Sequence, residues 1–180
     1  MILTRKDYNT FLAADAKAMD INYFSFKERL KAHITNPKWR FIKKLRRAEY
    51  YKNSKGPFAK LLFAYYYIVY KQYGMKLGFT IPMNVLGKGM SLPHYGTIVI
   101  SKYAKIGDNA RIHICVNIGA SNGGAPVIGD NCYMGPGAKI FGAIKLGNNV
   151  KIGANSVVNK SFEEDNILLA GVPAKIVKRL

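Results

Sequence analysis

The sequence predicts a β-solenoid of stacked coils that carries a helical N-terminal extension. Three observations predict it. First, Ile100, Ile106, Ile112, Ile118, Ile128, Met134, Ile140, Leu146, Ile152 and Val158 stand six residues apart at every step but one, and the exception, Ile118 to Ile128, is a step of ten. A period of six suits neither an α-helix nor an ordinary strand, and self-similarity at a fixed period marks a stacked-repeat architecture. Second, Gly107, Gly119, Gly129, Gly135, Gly147 and Gly153 each follow a residue of this grid. Third, the chain before residue 78 lacks the period and shows helical spacing and helix-start signals instead.

The extension comes first. Residues 4–17 and 25–34 carry apolar residues at three- and four-residue spacing and read as short helices. Asn36-Pro37 opens a third, with Pro at the first helical position. This helix, up to about Tyr51, is basic on most faces through Lys38, Arg40, Lys43, Lys44, Arg46 and Arg47, and is expected to be a solvated face. Gly56-Pro57 opens a fourth helix, Phe58 to Tyr73. Its apolar run from Leu61 to Tyr70 has two readings. It packs on the coils or on a neighbouring subunit, which its all-round apolar character favours. Alternatively it is a peripheral anchor, with tyrosines at headgroup level and Lys and Arg on anionic lipid.

In the coils, one bulky apolar residue per six points into a narrow interior. Ala104, Ala110, Val116, Cys132, Ala138, Ile144, Val150 and Ser156 hold the fifth position, as small residues at tight corners where Gly or Asn tolerates left-handed backbone. Three sixes make a triangular coil of about 18 residues, and neighbouring coils pair as parallel strands. The ten-residue step holds an inserted loop, Ala120 to Pro126; in repeat proteins insertions map to one face, often the binding face.

Lys and Arg number 28 against 10 Asp and Glu. The first 80 residues hold 17 basic and 5 acidic residues, so most of the surplus lies in the extension. Such asymmetry points to an anionic partner. No aromatic-interleaved basic motif or zinc-finger spacing is present, which argues against nucleic acid. Cys115 and Cys132 read as small core residues rather than a disulfide. The N-terminus lacks a secretory apolar region and no apolar run reaches 18 residues, so the chain is expected to be cytoplasmic, with peripheral contact at the inner membrane face under the anchor reading.

Three stretches carry a family resemblance: Leu92-Pro93-His94-Tyr95-Gly96-Thr97-Ile98-Val99-Ile100, Gly135-Pro136-Gly137-Ala138-Lys139-Ile140 and Ala170-Gly171-Val172-Pro173-Ala174-Lys175-Ile176. Residues 78–180 resemble the hexapeptide-repeat acyltransferases, in their serine acetyltransferase-like branch. The resemblance implies a mainly β protein, a left-handed parallel β-helix over 78–180 behind an α-helical basic extension over 1–77. It also implies a homotrimer with active sites between subunits, acetyl-CoA as co-substrate and no metal.

Acyl transfer from a thioester to a hydroxyl needs a base, oxyanion donors and substrates held in line. The resemblance places His94 at the catalytic histidine, and an imidazole titrates in the right range for a general base. His113, 19 residues later and nearly one coil on, is expected near His94 or its equivalent across the trimer, as a wall histidine or a substrate contact. Tyr95 and Asn122 are further candidate substrate contacts. For coenzyme A the resemblance points to Gly119, Ala120, Gly135, Pro136 and Ala154 along the pantetheine groove, with Lys139, Lys160, Lys175 and Lys178 as candidates for the nucleotide phosphates.

The chain departs from the serine enzymes in three places. Phe79 stands at the position of the Asp that orients their histidine. Gly124 and Ala125 replace the Arg-His pair that grips the amino acid's carboxylate. The tail after Pro173 is short. These departures, with the stretch His94 to Ser101, which also resembles the O-acetyltransferases of polysaccharide biosynthesis, lead to the expectation of a sugar hydroxyl as acceptor, in bacterial capsule, exopolysaccharide or O-antigen biosynthesis. The alternative is serine O-acetyltransferase of cysteine biosynthesis. A zinc hydratase on the same fold needs three histidine ligands, and of His33, His94 and His113 one lies outside the repeats.

Overall fold

The computed structural model describes residues 1–121 and 123–180. Four helices precede the coils: α1 Arg5–Ala18, α2 Phe26–Thr35, α3 Pro37–Asn53 and α4 Ala59–Leu77. Each start has a local cause. Thr4 accepts the Asp7 N–H on its hydroxyl while the Asp7 carboxylate accepts the Thr4 N–H, a reciprocal cap on α1. Asn36 accepts the Trp39 N–H and Pro37 supplies the preset first turn of α3. Gly78, at φ 78°, ends α4 in the left-handed conformation and turns the chain into the first strand.

The strands are short: β1 Phe79–Thr80, β2 Ile98–Ile100, β3 Lys105–Ile106, β4 Arg111–Ile112, β5 Asn117–Gly119, β6 Val127–Ile128, β7 Tyr133–Met134, β8 Lys139–Phe141, β9 Lys145–Leu146, β10 Lys151–Ile152, β11 Val157–Val158, β12 Ile167–Gly171 and β13 Ala174–Arg179. They form the three walls of a left-handed β-helix. The first wall runs β1-β2-β5-β8-β11, the second β4-β7-β10-β12-β13, the third β3-β6-β9. Every pairing is parallel except β12 with β13, a closing hairpin built from the Ala170–Ile176 stretch. It covers the last coil, whose strand edge would otherwise stand open.

The six-residue grid resolves into three interior ladders. Ile100, Ile118, Ile140 and Val158 stack under the first wall. Ile106, Ile128 and Leu146 stack under the third. Ile112, Met134 and Ile152 stack under the second. All ten are buried, as are the fifth-position residues, which point inward beside them. The left-handed corners fall one residue earlier, on Asn109, Asn131, Asn149 and Asn155, with φ between 55° and 58°. The Asn109 amide donates to Asn131, and Asn149 to Asn166, so this corner is itself a hydrogen-bonded column.

Most of the grid glycines serve a different purpose from the one expected. Gly107, Gly129 and Gly147 lack room for a side chain, because a carboxylate or amide oxygen of the next coil sits where Cβ would be. At Gly107 it is Asp130, whose Oδ1 also accepts the Asp108 N–H at 2.7 Å.

Two expectations fail, for α3 and for Cys115. The basic helix α3 is no solvated face: Trp39, Phe41, Ile42, Leu45, Arg46, Ala48 and Glu49 are all buried. Arg46 is sealed between extension and coils, donating to Asp15, Glu49 and the carbonyls of Leu86 and Gly87. Helix α4 packs through Ala59, Tyr70 and Gly74 and exposes Leu61, Tyr65, Ile68 and Met75, a face left open to either a neighbouring subunit or a lipid surface. Cys115 is exposed at φ 60°, at a coil corner, whereas Cys132 is buried in the core. Among the described residues no helix is long and apolar enough to cross a membrane.

Candidate active site

Two departures from the 18-residue coil flank the first wall. Leu86 pairs with Ile106 and Ser91 with Arg111, steps of 20 rather than 18. The excess is spent in the turn 93–97, at the corner between the second and first walls. Leu92 stays in the core while His94 and Tyr95 turn out into solvent. The second departure is the loop after Gly119, at the opposite edge of the same wall.

The helical extension holds the His94 turn from behind. Lys38 of α3 donates from Nζ to the Pro93 carbonyl at 2.6 Å. The Gly96 N–H donates to the Leu77 carbonyl at the end of α4, at 2.9 Å. Gly96 has φ 138°, a backbone that side chains rarely adopt, so the sharp exit needs glycine. Sequence reading misses this support, because no local pattern links Lys38 to Pro93.

One coil below, His113 lies with its ring 5.9 Å from that of His94 and 5.1 Å from that of Tyr133. Its Nε2 is buried with no hydrogen-bond partner among the described residues. Burial, then Arg111 and His94, hold its basicity below that of a free imidazole. The corner therefore pairs a solvent-facing imidazole with a neutral-leaning one that has an unspent ring nitrogen. Among the described residues no carboxylate hydrogen-bonds to His94 or pairs with it. Phe79, at the position where an Asp was sought, is buried and meets Phe41 of α3 edge-on at 5.1 Å. The side chain that would orient a base instead anchors the extension.

The other candidates divide between two corners. Gly135, Pro136 and Ala154 continue the His94–His113 corner down successive coils, with Pro136 and Ala154 exposed and Gly135 buried. Lys139 begins β8 there and donates to the Cys115 carbonyl at 2.7 Å. Gly119, Ala120 and Lys160 stand at the far edge of the first wall, where Lys160 lies over the Phe162 ring at 5.3 Å. Lys175 and Lys178 lie exposed on β13. At the inserted loop Ser121 and Gly124 exchange both backbone hydrogen bonds, at 2.9 and 3.0 Å, and Gly124 lies against Ala143. The call on Asn122 lies outside the described residues. Among the described residues no three His, Cys, Asp or Glu side chains cluster so as to hold a metal ion.

Residues 125–160 match the family described as bacterial transferase hexapeptide (six repeats). That stretch holds β6 to β11. The chain is 36% identical over 100 residues to the serine acetyltransferase of Mycobacterium tuberculosis (strain ATCC 25618 / H37Rv), covering 53% of this chain and 43% of that protein. It is 39% identical over 102 residues to the serine acetyltransferase of Staphylococcus aureus (strain Mu50 / ATCC 700699), covering 54% and 47%. The chain thus spans about half the length of the curated relatives it matches. Among solved structures, the serine acetyltransferase of Brucella abortus strain S19 superposes with a TM-score of 0.77 at 26% identity, over 97% of this chain and 70% of that one. That of Neisseria gonorrhoeae does so with a TM-score of 0.75 at 27% identity, over 98% and 68%. The Brucella abortus enzyme has also been solved in complex with coenzyme A.

These likenesses overturn the expectation of a polysaccharide sugar as acceptor. That expectation rested on residues the chain lacks and on the short stretch from His94 to Ser101; a missing cation is no positive mark of a sugar site, and the longer matches run to serine acetyltransferases instead. The relatives and solved structures named above are serine acetyltransferases.

Proposed function

We propose that this chain is an acetyl-CoA-dependent O-acetyltransferase of the serine acetyltransferase type, with the serine hydroxyl as acceptor. The observation that carries the reading is the likeness, at 36–39% identity, to serine acetyltransferases across about half of this chain. Residues 1–77 serve as helical support and 78–180 as the catalytic β-helix.

In this reading His94 is the general base. It takes the hydroxyl proton as the oxygen attacks the thioester carbonyl, and returns it to the thiolate of coenzyme A when the tetrahedral intermediate collapses. His113, with its unspent Nε2, contacts the acceptor, and Tyr95 stands exposed beside the base. Arg111, two residues before His113 and close enough to lower its basicity, supplies the cation for the acceptor's carboxylate in place of the absent Arg-His pair. Lys38, through Pro93, fixes the turn that carries the base.

The reading includes a homotrimer. Gly119, Ala120 and Lys160 lie at one edge of the first wall and His94, Pro136 and Ala154 at the other, so a groove that joins both sets needs the facing edge of a second subunit. Acetyl-CoA lies in that groove, its pantetheine arm along the small residues and its phosphates near Lys139, Lys160 or Lys175.

The test is thiol release from acetyl-CoA by the full chain with L-serine. Serine-dependent release is expected, and Arg111→Gln should raise KM for serine at least tenfold with kcat less affected. Folded protein that binds coenzyme A yet releases no thiol with serine would sink the proposal.

A further inference from the structure

Helices α2, α3 and α4 enclose a second group of side chains that the acyl transfer does not use. A small pocket of about 100 Å³ is lined by His33, Arg40, Lys43, Lys44, Arg47 and Tyr66. Four cations and an imidazole therefore share one concavity. Lys43 Nζ lies 3.0 Å from His33 Nδ1. Lys44 and Arg40 both approach the Tyr73 ring, at 5.3 and 5.6 Å. Arg47 lies 5.2 Å over the Tyr66 ring and donates to its hydroxyl at 3.2 Å.

Among the described residues no acidic side chain lines this pocket. Each acidic residue of the extension is committed elsewhere or lies outside the pocket. Asp15 and Glu49 hold Arg46. Asp7 caps α1, and Glu28 accepts the Asn22 N–H. Asp20 sits in the left-handed turn after α1. Burial, and after it the surrounding cations, hold Lys43, Lys44 and His33 below their ordinary basicity. The charges acting on these three are Arg29, Arg40, Lys43, Lys44 and Arg47, all positive. Concentrating like charge in a half-buried site costs stability unless a counter-charge is bound.

A second, independent feature points to the same place. The Arg40 Nε and the neighbouring Trp39 Nε1 are buried with no acceptor among the described residues, although Trp39 is only 1% exposed. Buried donors of this kind are rare and ask for a partner. Trp39 lines an adjoining pocket together with Tyr23 and Leu30, and that pocket shares His33, Lys43 and Arg47 with the first.

We propose that these joined pockets bind a phosphate-bearing anion, its charged group held among Arg40, Lys43, Lys44 and Arg47 and an apolar or aromatic remainder lying against Tyr23, Leu30 and Trp39. Guanidinium and ammonium groups converging on one small concavity match the several oxygens of a phosphate. The same chemistry is offered by a soluble phosphate ester and by an anionic phospholipid headgroup, and the experiment separates the two sources.

Full-length protein and the Lys43→Gln/Lys44→Gln variant are titrated calorimetrically with pyrophosphate and sedimented with phosphatidylglycerol or phosphatidylcholine vesicles. Saturable pyrophosphate binding, weakened at least tenfold in the variant, supports a soluble ligand. Sedimentation with phosphatidylglycerol alone, lost in the variant, supports the headgroup. In either case the His33 imidazole should titrate at higher pH once the anion is bound. Removing two mutually repelling cations should leave the variant's melting temperature equal or higher, so lost binding cannot be laid to unfolding. No saturable binding of either probe, or binding unchanged in the variant, overturns the proposal.

Discussion

Asp15 and Arg46 meet across 31 residues of sequence, with Nε 2.8 Å from Oδ2 and both side chains fully buried. Asp15 also accepts the Met90 N–H, and Glu49, Arg46's second carboxylate, accepts the Asn84 N–H. One guanidinium thus joins α1, α3 and the first coil. Arg46→Met leaves two carboxylates buried without a cation. It should cost about 3–5 kcal/mol of stability, read as a lower urea midpoint. An unchanged midpoint would mean that the network is stabilised from elsewhere.

His94 is exposed, outside the buried core of the coils. His94→Ala should therefore fold and melt like the parent while kcat falls by roughly 10²–10⁴-fold, the usual size of a general-base contribution. Near-normal turnover in the folded variant would remove His94 from the chemistry.

His113 carries a pH signature. Burial holds its folded-state basicity below that of a free imidazole, which titrates near about 6.5. The unfolded chain takes up this proton first as pH falls. The stability linked to His113 is complete above the unfolded value and is lost as pH drops from there toward the folded one. Its ring resonance should titrate below that of an imidazole in a short unstructured peptide, and His113→Gln should reduce the drop in melting temperature between about pH 7.5 and 5.5, the window around that ordinary value. A titration at or above the free value would refute the buried-ring reading.

Gly107 faces the coil below with no room for a methyl group. A Cβ there would stand 2.2 Å from Asp130 Oδ1 and 2.8 Å from the Gly129 carbonyl. Gly107→Ala should destabilise by about 1–3 kcal/mol, the range for forcing atoms into a packed site. Gly56→Ala, where nothing lies within 4 Å, is the control and should melt like the parent.

The helical starts were legible because caps are local: Thr4 with Asp7, and Asn36 with Pro37, need only neighbours in the chain. The ladders were legible because each coil repeats the same steric demand on one interior residue. The roles of the grid glycines and of Cys115 were not, since they depend on what the adjacent coil presents. The candidate site was half legible. The motif around His94 and the one-coil spacing to His113 can be read directly. The hold of Lys38 on Pro93 and the use of Phe79 as an anchor on Phe41 join residues that no spacing connects.

By itself the sequence determined the solenoid, its interior ladders and the ten-residue step that pushes a loop outward. A six-residue period admits one way of burying one apolar side chain per repeat, so the pattern and the fold are nearly the same statement. Only the tertiary structure decided what the basic extension does. Charge along α3 cannot be assigned from composition to solvent, to a buried network or to a pocket. Burial of Arg46 against Asp15 and convergence of Lys43, Lys44 and Arg47 beside Trp39 arise from packing among helices, where a cation's fate depends on which partners the fold brings within reach.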